Sequence, residues 1–368
     1  MGVLYTFVWL LSAAAAPSSW CAETQSPPAD LYRESSRCVL EARYEDAERV
    51  LDRFILDAPD DPAGYLLKAA VLQYECTDYE DFSRDAEYET LLSRTEELAL
   101  RRIAVNSPQI MRCIIRGPRY SRGGTCVSAL WARYYLSSAK SLRGVRTVSR
   151  GSFLGGIADG RAGAKGMSSI LAEAPGFCDA YLGTGSYRFW KTVAAGPLRW
   201  IPFVHDDREK GIGDVRKALE CGKLTGPLTN TVLLEMLLEY DPDAARELGE
   251  RMVNAYPSCR LFAWQLGEAY KKLGRYNSAV ALFTGLAERY ACDTRDDGSG
   301  QVRCWWKLAV LSRDLGKRSD CRAYCGKILE LGRRGTVMKR QKARIEKARR
   351  WYGELGNGEE RTRPGRGQ

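Results

Sequence analysis

Residues 260–291 read RLFAWQLGEAYKKLGRYNSAVALFTGLAERYA. Ala263, Leu266, Gly267 and Tyr270 recur at the three- and four-residue steps that place side chains on one face of an α-helix. Ala279, Phe283 and Leu286 do so again beyond Gly274-Arg275-Tyr276. Gly274 marks the break between the two runs. The stretch is therefore predicted to be a helix, a turn and a second helix. The small Gly267 and Ala279 would let two antiparallel backbones approach, leaving Tyr270 and Phe283 to fill the space towards a neighbouring hairpin. A single hairpin cannot bury its own apolar face, so this one must stack on others.

The flanking segments keep the same frame. Gly226–Cys259 carries Val232, Leu233, Met236, Ala245 and Met252 at matching spacings and closes at Pro257. Val302–Gly335 carries Trp305, Leu308, Ala309 and Gly316, with Cys321 and Cys325 at the Ala and Phe places, where both should be buried. Each unit is about thirty-four residues long. The order Leu-Gly, Tyr, Ala, Phe, ending in Pro, resembles the tetratricopeptide repeat. A weaker match runs through Tyr44, Ala47, Leu51, Phe54 and Pro59. Another lies where a helix from Ile157 to Pro175 passes into Asp179–Gly183.

That resemblance implies an all-α solenoid of stacked helical hairpins, with irregular insertions and a C-terminal capping helix. In such a family the first helix of each repeat lines a concave groove that holds a protein or peptide partner. On the resemblance, Asn230, Leu234, Trp264, Glu268, Lys271, Trp306 and Arg313 fall on the groove side, with the tryptophans as anchors. No known peptide-clamp pattern matches residue for residue, so the identity of the ligand does not carry over.

The expected organisation is an export signal over 1–22, degenerate hairpins over 23–103 and a central helical region with insertions over 104–225. Three repeats over 226–335 follow, then a basic capping helix over 336–355 and a disordered tail over 356–368. The apolar run Val3–Ala16, about fourteen residues, is too short to span a bilayer and close to the core of a signal peptide, although no Lys or Arg precedes it. Bulky Trp20 before Cys21 argues against lipid attachment. The protein is accordingly expected in the periplasm or cell envelope. Within the central region, Pro108, Gly117-Pro118 and Gly123-Gly124 are expected breaks. Pro197–Phe203 reads as an apolar loop and Asp293–Gly300 as a solvent loop.

Charge is unevenly distributed along a chain of 368 residues with formal net charge +10. The segment 41–97 is strongly acidic, whereas 98–158 holds bases and no acid. Arg333–Arg350 is a second basic block interrupted only by Glu346. The helical basic block at the end suits peripheral contact with an anionic membrane, and together with the apolar loop around Trp200 it gives the alternative reading of a membrane-associated assembly subunit of the cell envelope. Arginines interleave with Tyr120 and Trp131, but an exported chain seldom meets nucleic acid and the acidic segment can neutralise the patch, so nucleic acid is not an expected partner.

Catalytic signatures are sparse. His205 is the sole histidine, which removes most nucleophile–base and multi-histidine metal arrangements, and His205-Asp206-Asp207 reads best as a helix start. Gly155-Gly156, Gly160, Gly163 and Gly166 match no nucleotide-binding loop and suit close helix packing, as do Gly183 and Gly185. No cofactor is implied. Among twelve cysteines, Cys113 with Cys126 and Cys292 with Cys304 are spaced to close short loops in an oxidising compartment; most of the others read as small buried hydrophobes.

Overall fold

The computed structural model describes residues 28–116, 124–196 and 205–360, the side chains of 106–116, 124–126 and 356–360 excepted. The signal segment, Cys21, the pairing of Cys113 with Cys126 and the loop 197–204 lie outside the described residues. The remainder is all α-helical: α1 (Ala29–Leu40), α2 (Tyr44–Asp57), α3 (Pro62–Tyr79), α4 (Asp85–Arg116), α5 (Gly124–Ser149), α6 (Phe153–Glu173), α7 (Ala180–Ala194) and α8 (Arg208–Cys221) form the first half. The second half is α9 (Asn230–Tyr240), α10 (Pro242–Ala255), α11 (Arg260–Lys272), α12 (Tyr276–Ala291), α13 (Ser299–Asp314), α14 (Arg318–Leu331), α15 (Gly335–Arg340) and α16 (Lys342–Glu360).

The helices pack in adjacent pairs, and the odd-numbered ones from α1 to α11 also touch in order. Four of the pairs turn in one way. Beyond α1, α5, α11 and α13 the chain passes through a left-handed residue, Ala42 (φ 57°), Gly151 (φ 93°), Gly274 (φ 70°) and Gly316 (φ 70°). The next amide then reaches back to a carbonyl in the last turn of the helix: Arg43 to Cys38 (2.8 Å), Ser152 to Thr147 (3.1 Å), Arg275 to Tyr270 (2.8 Å) and Lys317 to Ser312 (2.8 Å). This arrangement satisfies carbonyls that a helix end leaves without partners.

Glycines set the closest approaches. A Cβ on Gly144 of α5 would lie 2.6 Å from the Gly156 carbonyl and 2.8 Å from the Gly160 nitrogen of α6, and one on Gly163 would lie 2.5 Å from the Ser137 carbonyl. The glycine-rich stretch is thus a helix packed nearly backbone to backbone. Gly185 meets Gly211 between α7 and α8 in the same way (2.6 Å). Gly267 differs from expectation: its missing Cβ makes room for the Phe283 ring of its own hairpin rather than for a backbone.

Several boundaries also differ. Helix α4 continues through Pro108, because losing one backbone donor does not end a helix that extends well to either side. The basic block after residue 335 divides at Gln341 into α15 and α16, and α16 runs to Glu360 through the first part of the expected tail. Val337 of α15 and Ile345 and Ala348 of α16 are buried in one cluster with Val302, Cys321 and Ile328. Asp206, rather than Asp207, serves the start of α8, accepting from the Arg208 amide at 3.1 Å.

Helix α3 lies between the two halves. It is buried around most of its circumference and touches α1, α2, α4 and α5 as well as α11 and α13. Its C-terminal end carries Glu75, Asp78 and Glu80, with Asp81 following. Acids at the negative end of a helix dipole are unfavourable in isolation. Here arginines from the C-terminal half offset them: Arg295 pairs with Glu75, Arg260 with Asp78, Arg303 and Arg344 with Glu80, and Arg340 with Asp81. Arg303 and Arg340 also donate to the Asp78 and Tyr79 carbonyls at the helix terminus. The Asp293–Gly300 insertion belongs to this junction, where Asp293 accepts from Tyr79 (2.6 Å) and Arg260 (2.6 Å), so it is a brace and not a free solvent loop.

The other charge blocks neutralise one another locally. On α5, Arg143 pairs with Glu89 and Glu96, and Arg146 and Arg150 pair with Asp85, all on α4.

Candidate functional site

The first helices of the last three hairpins, α9, α11 and α13, border a cleft of about 270 Å³. Thr77 and Glu80, at the end of α3, also line it. The apolar wall is Leu238, Leu261 and Trp264. Trp264 is 9% exposed, and its indole Nε1 donates to the Tyr290 hydroxyl at 3.0 Å. That hydroxyl lies 2.7 Å from Asp78 Oδ1, so the cleft wall is held by the same buried network that joins α3 to the C-terminal half. Burial beside Asp78 raises the Tyr290 and Tyr44 hydroxyls well above their ordinary pKa, and both stay protonated donors. At Arg260, burial opposes the charge but the Asp78 carboxylate outweighs it and raises its pKa.

The polar side of the cleft is asymmetric. Arg303 and Arg344 are committed to Glu80, and Arg303 also covers the Trp264 ring at 4.7 Å. Lys307 pairs with Glu268 at 2.7 Å, and Lys272 at the rim pairs with Glu239 at 2.7 Å. Among the described residues Glu235 forms no ion pair; it accepts from Gln265 Nε2 at 3.0 Å, and the same amide donates to the Thr231 carbonyl at 2.7 Å. Both of these partners are acceptors, which fixes the orientation of the Gln265 amide and leaves its shielded Oε1 without a donor. An unsatisfied buried acceptor of this kind costs about 1–3 kcal/mol. Glu235 reaches solvent, but the cleft encloses it enough that desolvation, with Glu268 nearby, raises its carboxyl above the usual range.

The seven residues expected to line a groove are distributed unequally. Trp264 and Glu268 are in the cleft. Leu234 is fully buried in the core and cannot meet a partner, while its neighbour Glu235 faces the opening. Asn230 turns back to the Pro227 carbonyl at 3.0 Å, and Thr231 takes its expected place. Trp306 stacks on Trp351 of α16 at 4.7 Å, and Arg313 covers the same ring at 4.1 Å, so both brace α16. Lys271 is half-buried outside the cleft lining. On α9 and α13 the cleft side chains sit one residue from the expected face, about 100° around a helix.

The cysteines differ from expectation as well. Cys292 is exposed and Cys304 buried, both as free thiols, so that pair is not formed. Instead Cys178 and Cys221, whose Cα atoms lie 5.6 Å apart, form a disulfide tying the start of α7 to the end of α8. Beside it the buried Asp179 accepts from the Lys223 (2.9 Å) and Leu224 (2.6 Å) amides. Cys321 and Cys325 are buried as expected, and burial pushes the Cys325 thiol up to about 12. Among the described residues no group of three or more His, Cys, Asp or Glu side chains is placed to hold a metal ion, and no helix is long and apolar enough to cross a membrane. No protein-family model matches this chain, and no curated protein matches it.

Proposed function

We propose that the chain is an exported scaffold of stacked tetratricopeptide-like hairpins that holds a protein or peptide partner in the cleft between α9, α11 and α13, with α16 capping the end of the stack. The observation that carries this reading is the cleft itself. Successive first helices present side chains towards one opening, at positions 34 residues apart where Gln265 meets Thr231 and Lys272 meets Leu238. The recurring left-handed turn after α1, α5, α11 and α13 supports a repeat origin, and the Cys178–Cys221 disulfide suits an oxidising compartment. The test is crosslinking capture from the native envelope with wild type and Gln265→Tyr, which fills the cleft. Loss of one stoichiometric partner from a variant with unchanged circular dichroism is the expected result. Equal recovery of that partner by both proteins would overturn the reading.

A second reading, peripheral attachment to an anionic membrane, draws on the last two helices. Lys339, Lys347, Arg349 and Arg350, with Arg333 just before them, are all exposed, and none forms an ion pair among the described residues. Flotation with phosphatidylglycerol vesicles tests it, and protein remaining at the bottom of the gradient counts against it.

A further inference from the structure

From the donors and acceptors left over in the cleft, we infer that its occupant presents a basic side chain, lysine or arginine, to Glu235. This rests on the cleft being the binding site and goes on to name the chemistry it selects. Among the residues lining the cleft, Arg303 and Arg344 are engaged with Glu80, and Lys307 with Glu268. Among the described residues Glu235 is the lining acid with no lysine or arginine in ion-pair contact; Lys272, the basic side chain whose charge acts on it, pairs with Glu239 instead. Glu235 Oε2 accepts a hydrogen bond from Gln265 Nε2, which leaves Oε1 for a ligand.

The surroundings of Glu235 also ask for donors. Gln265 cannot donate further, because its amide nitrogen is held by two acceptors, Glu235 and the Thr231 carbonyl, and its own Oε1 is shielded; the free Glu235 oxygen is the acceptor left for a ligand. An ammonium group brings three donors and a guanidinium five, with no acceptor to compete, whereas a carboxylate would bring only acceptors and meet Glu235 as a like charge. The apolar wall suits the rest of such a side chain. Leu238, Leu261 and the edge of Trp264 can cover the methylene stem of a lysine or arginine while its charged end reaches the carboxylate. A volume of about 270 Å³ admits one long side chain and a short length of backbone, not a folded domain.

The experiment presents the full-length protein with a bead-bound hexapeptide library in which one position is fixed as Lys, Arg, Gln or Glu. Selection is run in parallel on Glu235→Gln and on a control, Glu288→Gln, an exposed acid on α12. Lys and Arg peptides should be enriched over Gln peptides by about tenfold in wild type and in Glu288→Gln, and Glu235→Gln should lose that preference. Acetylation of the fixed lysine should abolish it too. Enrichment of Glu peptides, lost in Lys307→Gln, would keep the cleft as a binding site and overturn the choice of a basic ligand. No enrichment of any class would overturn both, and a Lys preference that survives in Glu235→Gln would overturn the assignment to Glu235.

Discussion

Asp78 Oδ2 lies 2.6 Å from Arg260 Nη2 although 182 residues separate them, and both side chains are almost wholly buried. Arg260 also donates through Nε at 2.9 Å, Tyr44 and Tyr290 donate to the same carboxylate, and the guanidinium lies over the Tyr79 and Tyr290 rings. Every lone pair brought out of water has a donor, which is the condition under which a buried ion pair is tolerated. Removing one partner strands the other. Asp78→Ala should therefore lower unfolding stability by about 3–5 kcal/mol, with the double variant Asp78→Ala, Arg260→Met losing less than the sum of the two single changes. Urea denaturation measures both. A loss under about 1 kcal/mol in Asp78→Ala would mean that this junction does not hold α3 to the C-terminal half.

The same junction makes stability depend on acid. Burial alone would raise Glu80 and Asp293, but Arg303 and Arg344 around Glu80, and Tyr79 and Arg260 at Asp293, outweigh it and leave both carboxyls below their usual range. A carboxyl depressed in the folded state contributes stability above its unfolded pKa of about 4 and loses that contribution as the pH falls through the folded value. Denaturation midpoints should fall as the pH drops below about 5 and on through the depressed range of these carboxyls, and Glu80→Gln should flatten the fall by losing part of the stability already at neutral pH. An unchanged slope in Glu80→Gln would place the acid sensitivity elsewhere.

The helix and turn frame is legible in the sequence because it is local. Three- and four-residue recurrence and the glycines at the turns identify α9 to α14, and Pro59 and Pro62 set the break between α2 and α3. The junction between α3 and the C-terminal half is not legible in this way, since periodicity carries no information about a partner 182 residues away. One signal is present: Glu75 and Asp78 sit in the last turns of a helix made mostly of apolar residues, and a charge in such a place needs a buried counter-charge. The cleft side chains on α9 and α13 lie one residue from the expected face because helical recurrence identifies a helix but does not fix how far it is rotated about its axis against its neighbours. Cys178 and Cys221 were hidden for a simpler reason, as a sequence separation of 43 does not distinguish bonded cysteines from others.

Two glycines of α6 should respond oppositely to the same change. A methyl on Gly163 would meet the Ser137 carbonyl and the Ser141 amide at 2.5 and 2.8 Å, backbone atoms that cannot yield without moving α5. A methyl on Gly160 meets nothing within 4 Å. Gly163→Ala should destabilise by about 1–3 kcal/mol through overpacking, whereas Gly160→Ala should stabilise by up to about 1 kcal/mol through helix propensity. Thermal unfolding monitored at 222 nm separates the two, and equal shifts of one sign would contradict the close packing of α5 on α6.

The turn after α1 holds the last contrast. Ala42 occupies at φ 57° the position that Gly274 and Gly316 occupy at φ 70°, and its neighbours make the same backbone hydrogen bonds. A side chain in the left-handed region brings Cβ against the following carbonyl, at a cost of about 1–2 kcal/mol that glycine avoids. Glycine also gives the unfolded chain more freedom, which takes back about 0.4–1 kcal/mol. The difference favours the replacement, so Ala42→Gly should stabilise by a few tenths to about 1 kcal/mol. The same change at Ala47, inside α2 and fully buried, should destabilise by at least about 1 kcal/mol because it loses both helix propensity and packing. Parallel urea titrations of the two variants decide the matter, and a destabilised Ala42→Gly would show that α1 and α2 do not turn in the manner of α11 and α12.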